Sequence, residues 1–401
     1  MLKLRPATVV EIVRPDVVEG KAGSGGGGGG EAREQQLVVE LDGLHGGGRR
    51  AAIADVGMVG LSQVGDEVIV NVQALDLELD SGGFDIVHVN LSRGLEDQGE
   101  AGARVMKLNY TSLQHAVTPV EEARLEIPVD RPAAVLALHG QLAAVAWAFS
   151  QHAPAARLGY IQTEGGALAG GHSRTVEKLR GLGLLAGHLT AGAAFGGEGE
   201  AITTAGALHH GLRTLGWDAA VCGPGPGIVG SSSALGHGGM AALDSAHVSL
   251  ALGCPTLLVA RMSTSDDRER HRGISHHTLT VLDLLLEPVT VALPAGMRSP
   301  VGADLRAGLG AVFGGAMPNQ PARARPALAL DVERPVRITR HDWRRAAVDL
   351  PAYASSGLPI VTMGRSLTED PLFFGAALAG GTALAEMAAD SIELDEGSGE
   401  G

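Results

Sequence analysis

From residue 133 onward, short apolar runs alternate with stretches of helical periodicity, and that alternation restricts the chain to a parallel sheet covered by helices. The runs at residues 133–138, 157–163, 188–191, 218–223 and 256–260 are followed by helical patterns at 141–152, 173–182, 198–215, 238–252 and 276–285. A further run at 289–293 closes the series. Beyond it come a Pro- and Arg-rich stretch at 318–335, strand candidates at 328–332 and 358–363, and two helices. The last helix is expected to open with Asp370 as N-cap and Pro371 at its first position. Counted generously, the pairs reach about the eight of a closed (β/α) barrel. The rhythm fades after Leu293, so the expected fold class is α/β with a doubly wound, mostly parallel open sheet, the (β/α) barrel being the alternative.

The region before this pattern reads differently. Short β-branched or alternating runs at residues 8–14, 36–41, 50–54, 67–75, 86–91 and 104–110 are separated by Gly, Asp and Pro, as in a small barrel or sandwich. Since 401 residues exceed the size at which a single core stops growing, more than one core is expected. The expected division is an all-β domain at residues 1–118, with a disordered Gly-rich loop at 22–34, and an α/β core at 119–317. An extension of that core at 318–389 and a disordered acidic tail at 390–401 complete it. Aromatic residues are only 3% of the chain, so Ala, Leu and Val must fill the interior.

Charge and cysteine usage remove several functions. With 31 basic against 45 acidic residues the net charge is −14, which disfavours nucleic acids and anionic membranes as partners. Only four lysines occur, and no G-x-x-x-x-G-K-[ST] loop is present, so P-loop hydrolysis and pyridoxal-phosphate chemistry lose most of their basis. The two cysteines, Cys222 and Cys254, lack any C-x-x-C spacing and fit buried thiols in a reducing compartment. The opening MLKLRPATVVEIVRPD lacks the uninterrupted apolar stretch of a signal peptide. The apolar residues 371–389 are interrupted by Gly375, Gly380, Gly381, Thr382 and Glu386 and read as a buried helix. Cytoplasmic localisation is the expectation.

Helix-to-strand connections are short, whereas strand-to-helix connections are long and rich in Gly, Ser, His and Arg. Ligands of parallel α/β sheets bind at the carboxyl ends of the strands, so the long loops mark the site. Residues 223–239, GPGPGIVGSSSALGHGG, precede a helix. Gly225, Gly227 and Gly230 allow backbone amides to face a ligand, and Ser231 and Ser232 add hydroxyls, an arrangement suited to an anion; a turn selected for tight packing is the alternative. The second loop, residues 261–278, carries Arg270, Arg272, Ser275, His276 and His277, candidates for charge stabilisation, ligand contact and acid–base work. His139 and Glu164 follow strands on the same edge and are further acid–base candidates. Zinc held by His271, His276 and His277 is a weaker alternative, because adjacent helical histidines diverge by about 100°.

The segments HGQLAAVAWAF, LGYIQTEGGAL, GPGPGIVGSSSALGHGGMA and RERHRGISHHT resemble a family of uncharacterised bacterial proteins, the domain-of-unknown-function family 3866, over roughly residues 2–294. The resemblance implies an N-terminal β domain followed by the α/β core and carries no catalytic residues with it. Residues 25–30, a pure glycine run, look like an insertion relative to the family pattern. The leading expectation is an enzyme acting on a small anionic metabolite, hydrolase or transferase in type, with no cofactor identified and with homo-oligomerisation possible. The rival is a non-catalytic metabolite sensor or scaffold.

Overall fold

A computed structural model describes residues 3–14, 34–43, 47–76, 83–93, 103, 105–111, 113–166, 169–231, 233–296 and 334–398. The glycine run at 25–30, Ser232, the strand candidate at 328–332 and most of the Pro- and Arg-rich stretch lie outside these residues. The chain divides into two compact units. One comprises residues 1–119 with 168–174, and the other residues 120–167 with 175–401.

The first unit is a closed five-stranded barrel. Its strands are β1 (Leu4–Arg14), β2 (Glu34–Leu41), β3 (Gly48–Asp55), β4 (Glu67–Asn71) and β5 (Asp85–Asn90), in the order β1-β2-β3-β5-β4. Alternation in sequence becomes alternation across the barrel wall: Val9 faces Val39 across the β1–β2 ladder, and both are fully buried with Leu37, Val68 and Val70. The fourth run stops at Asn71 rather than residue 75, because residues 73–76 turn helical.

The second unit carries an open, all-parallel sheet of eight strands. These are β6 (Ala133–Val135), β7 (Leu158–Thr163), β8 (Gly187–Ala191), β9 (Gly199–Ala201), β10 (Ala219–Pro224), β11 (Thr256–Val259), β12 (Thr290–Pro294) and β13 (Asp342–Ala346), in the order β9-β8-β7-β10-β6-β11-β12-β13. The sheet does not close, so the core is doubly wound and not a (β/α) barrel. The helices are α1 (Leu142–His152), α2 (Arg174–Gly181), α3 (Thr204–His209), α4 (Ala241–Ala251), α5 (His276–Leu284), α6 (Arg334–Thr339), α7 (Leu350–Ala354) and α8 (Pro371–Ser398). Residues of α3, α4, α5 and α6 join the core on one sheet face, and residues of α1, α2 and α8 the core on the other. Strand burial on both faces explains why the runs read as continuously apolar instead of alternating.

Three departures from the sequence reading stand out. β9 lies inside what reads as one helix at 198–215; its GEA sequence has no apolar run to announce it. β13, sequence DWRRA, is an edge strand whose Arg344 and Arg345 are exposed, so its charges hid it. The acidic end expected to be disordered is helical to Ser398, because a long helix already packed on the core extends at the cost of ordering one residue per hydrogen bond. Within α8, Pro371–Ile392 is long and apolar enough to cross a membrane, yet 89% of its most apolar window is buried inside the protein.

The topology fixes where a ligand can enter. From β6 the chain moves outward through β7, β8 and β9, then returns to place β10 on one side of β6 and β11 on the other. The chain leaves β6 toward the face that holds α1, but leaves β10 and β11 toward the opposite face. The strand order therefore reverses at β10-β6-β11, and the crevice of such a sheet opens at the carboxyl ends of those strands.

Candidate functional site

The two long loops identified in sequence leave β10 and β11. These strands are not neighbours, as successive strands usually are, because β6 is inserted between them. The loops meet nonetheless. The first folds back on itself: Gly230 bridges His237, the Ser231 amide donates to the Gly236 carbonyl at 2.7 Å, and the Ser231 and Ser233 hydroxyls lie 2.9 Å apart. The serine hydroxyl expected to cradle an anion therefore helps close a turn. Ser231 Oγ also donates to Gly236 O at 3.0 Å.

The glycines of this loop serve backbone packing. A Cβ on Gly225 would fall 2.4 Å from Gln162 Nε2, and one on Gly166 would fall 2.4 Å from Gly225 O, so the turn after β7 and the loop after β10 touch backbone to backbone. Gly227 has a φ of +82°, a conformation open mainly to glycine. The loop's effect is to set His237 at the base of the closed turn, with its Nε2 3.0 Å from the Ala234 carbonyl.

The second loop is pinched by a two-residue antiparallel ladder, Met262–Ser263 against Gly273–Ile274, and by the Ser275 amide donating to the Arg261 carbonyl at 2.9 Å. Ser275 then starts α5. Its Oγ accepts from the His277 amide and lies 2.7 Å from His271 Nδ1. His276 and His277 thus occupy the first turn of α5, where the free amides present a partial positive charge.

The result is a cluster of four buried imidazoles. His237 stacks on His277 with centroids 3.6 Å apart and planes at 11°, and His276 lies edge-on to His237 at 5.5 Å. His276 and His277 are 4.4 Å apart, and His271 is within 4.8 Å of His276 and 4.9 Å of His277. Divergence of neighbouring helical residues does not separate these rings, because His237 enters from the other loop and closes the gap. The potential ligand atoms of His237, His276 and His277 lie within 4.8 Å of one another, so the metal-capable trio contains His237 in place of His271.

Arg261, buried to 3% exposure, points Nη1 at His277 Nδ1 over 3.0 Å and Nη2 at Asp266 over 3.5 Å. Asp266 also accepts both arms of Arg268 at 2.9 Å and Arg365 at 3.1 Å, while Arg365 reaches Asp370 at 3.2 Å. Asp370 accepts from Ser263 Oγ at 2.6 Å and from the Thr264 amide at 3.0 Å, so the start of α8 is tied to the second loop. Three guanidiniums thus face two carboxylates, and the surplus charge is positive.

Protonation follows from this. Burial first, then Arg261 and Arg268, push His271 down to about 3; burial, then His237 and Arg270, push His276 down to about 4. Burial and then Arg261 hold His277 further below the usual range, and burial lowers His237. All four are neutral near pH 7. Burial pushes Arg261 down to about 10, leaving it charged; burial would raise the Asp266 carboxyl, but Arg268 and Arg365 hold it well below the carboxylate range.

The other sequence candidates stand differently. Arg270 and Arg272 are exposed; Arg272 Nε donates to the Asp266 carbonyl at 2.8 Å, and Arg270 acts on the cluster through its charge. His139 follows β6 but is buried against Tyr160, its Nδ1 3.3 Å from the phenol oxygen, and burial lowers it to about 4. Glu164 is exposed and faces Gly192, after the neighbouring strand β8. His237, Arg261 and Asp266 went unnoticed in sequence. The available signal for His237 was that it is the one titratable residue in the glycine loop.

The sequence profile of a family described as a protein of unknown function (DUF3866) matches residues 51–381, starting later and reaching further than the resemblance read from the motifs. Neither a curated protein nor a solved structure was found to match the chain.

Proposed function

The chain belongs to the DUF3866 family, whose description assigns no activity, and we propose that it binds a small phosphate- or carboxylate-bearing metabolite over the carboxyl end of β6 and acts on it as a hydrolase or transferase. The observation that carries this reading is the buried guanidinium of Arg261 at the meeting of the two loops, in a network of three guanidiniums and two carboxylates. A buried arginine and a helix start form a field complementary to an anion, and the neutral imidazoles beside them add no competing charge. Arg261 and Arg270 supply charge, and His276 is the acid–base candidate because its Nε2 is buried without a hydrogen-bond partner. The buried free thiols Cys222 and Cys254, both raised by burial, fit a cytoplasmic setting, and the net charge of −14 disfavours nucleic acid and anionic membrane partners.

Thermal melting of the purified chain with inorganic phosphate and with succinate tests the reading. At least one anion should raise the melting temperature, Arg270→Gln should reduce the rise without affecting the unliganded protein, and Arg261→Met should remove it. A flat response across phosphate, succinate and a panel of phosphorylated metabolites would sink the proposal. A ligand that binds without turnover would instead favour a metabolite sensor.

A further inference from the structure

We propose that His237, His276 and His277 form a binding site for a divalent transition-metal cation of the zinc class. The first support is geometric: each ring offers a nitrogen, the three lie within 4.8 Å of one another, and all three side chains are at least nine-tenths buried. Cation binding needs a further contraction, since nitrogens about 2.1 Å from a tetrahedral zinc lie roughly 3.4 Å apart, and a turn of the His237 ring out of its stack on His277, since parallel rings do not aim their lone pairs at one point. Two of the rings belong to the first turn of α5 and the third to a loop, so the loop can supply that movement.

The second support is the state of the His237 lone pair. Its Nε2 lies 3.0 Å from the Ala234 carbonyl, which can only accept, so Nε2 carries the proton and Nδ1 presents a lone pair. That Nδ1 is buried and has no hydrogen-bond partner. A neutral imidazole lone pair cannot receive an anion; it is matched by a proton donor or a Lewis acid. A backbone carbonyl fixing the far nitrogen is also how metal-bound imidazoles are oriented. His276 Nε2 is a second buried nitrogen without a partner, from a ring edge-on to His237. Two independent unsatisfied nitrogens in one buried cluster are costly unless something joins them.

The donor set selects the cation. Three imidazoles and no carboxylate suit zinc, cobalt, nickel or copper, and do not suit magnesium or calcium, which require oxygen. Three protein ligands leave a fourth position open. Arg261 Nη1 stands 3.0 Å from His277 Nδ1, so it competes with a cation for that nitrogen and lowers the affinity by its charge. This opposition makes the cation's affinity moderate and predicts that removing the guanidinium strengthens binding.

The site shares residues with the proposed anion pocket, but it is tested with metal alone in a buffer free of phosphate and carboxylates, so the two readings can fail separately. The full chain, stripped with a chelator and dialysed, should take up one zinc per molecule and melt at a higher temperature. Cobalt should give the intense visible absorption of a tetrahedral, nitrogen-rich site. His237→Gln and His276→Gln should each weaken zinc at least tenfold, Arg261→Met should tighten it severalfold, and His152→Gln, an exposed histidine elsewhere, should leave it unchanged. Absence of stoichiometric zinc uptake by the wild-type chain overturns the proposal. So does uptake that neither His237→Gln nor His276→Gln weakens, and the wild-type cobalt spectrum decides the matter should either variant fail to fold.

Discussion

His139 illustrates how a residue can satisfy every sequence criterion for catalysis and be placed for another task. It follows the inner strand β6, on the expected edge, yet it is buried beside Tyr160, whose hydroxyl in turn donates to the carbonyls of Gly223 and Pro224 at 3.1 Å. Its neutral state gives it a consequence for stability. Burial lowers His139 to about 4, against about 6.5 in an unfolded chain, so below pH 6.5 the unfolded state takes up the proton first. Stability from this residue is complete above pH 6.5 and is lost as the pH falls toward 4, by up to about 1.4 kcal/mol per unit. Urea denaturation at pH 7 and pH 5 should show the wild-type protein losing about 2 kcal/mol more than His139→Gln across that interval. Parallel losses in the two proteins would show that His139 is not held neutral by the fold.

At the scale of elements, α8 decides how the C-terminal part of the chain is used. Its apolar stretch reads equally well as a core helix or a membrane span by length, and the contact with α1 settles the matter within the fold. A Cβ on Gly381 would lie 2.3 Å from the Val145 carbonyl and 2.8 Å from the Ala148 Cβ, and one on Gly380 would lie 2.9 Å from Val259. Small residues let the two helices approach over backbone, and the buried Ala377 and Ala385, one turn to either side of Gly381, extend the close face. Gly381→Val must push the helices apart and should cost on the order of 3 kcal/mol, at the upper end of overpacking effects. Chemical denaturation measures it; a variant as stable as the parent would show that α8 does not pack on α1 at this distance.

For the molecule as a whole, each unit has its own buried cluster. Val9, Leu37, Val39 and Val70 belong to the barrel, whereas both faces of the large sheet are lined by residues of the second unit alone. All three tryptophans, Trp147, Trp217 and Trp343, lie in the second unit, so intrinsic tryptophan fluorescence reports on it without contribution from the barrel. A fragment of residues 120–401 should therefore fold cooperatively, with the tryptophan emission of the full chain and a similar midpoint in denaturant. Red-shifted emission and an unfolded circular dichroism spectrum would show that the second unit depends on the first.

The parallel sheet, the barrel before it and the edge that carries the long loops were all legible in the sequence, because buried strands and crossover helices impose short-range periodicities on apolar residues. β9 and β13 were not, since edge strands carry less burial and so leave less pattern: in GEA and DWRRA a single alanine apiece is buried, Ala201 and Ala346. The same distinction divides the candidate site. His276, His277 and Ser275 announced themselves by clustering along the chain. His237, Arg261 and Asp370 did not, because Arg261 meets His277 across 16 positions and Ser263 meets Asp370 across 107. Sequence determined which loops stand at the carboxyl edge. The insertion of β6 between β10 and β11, a matter of strand order alone, decided which residues of those loops come together.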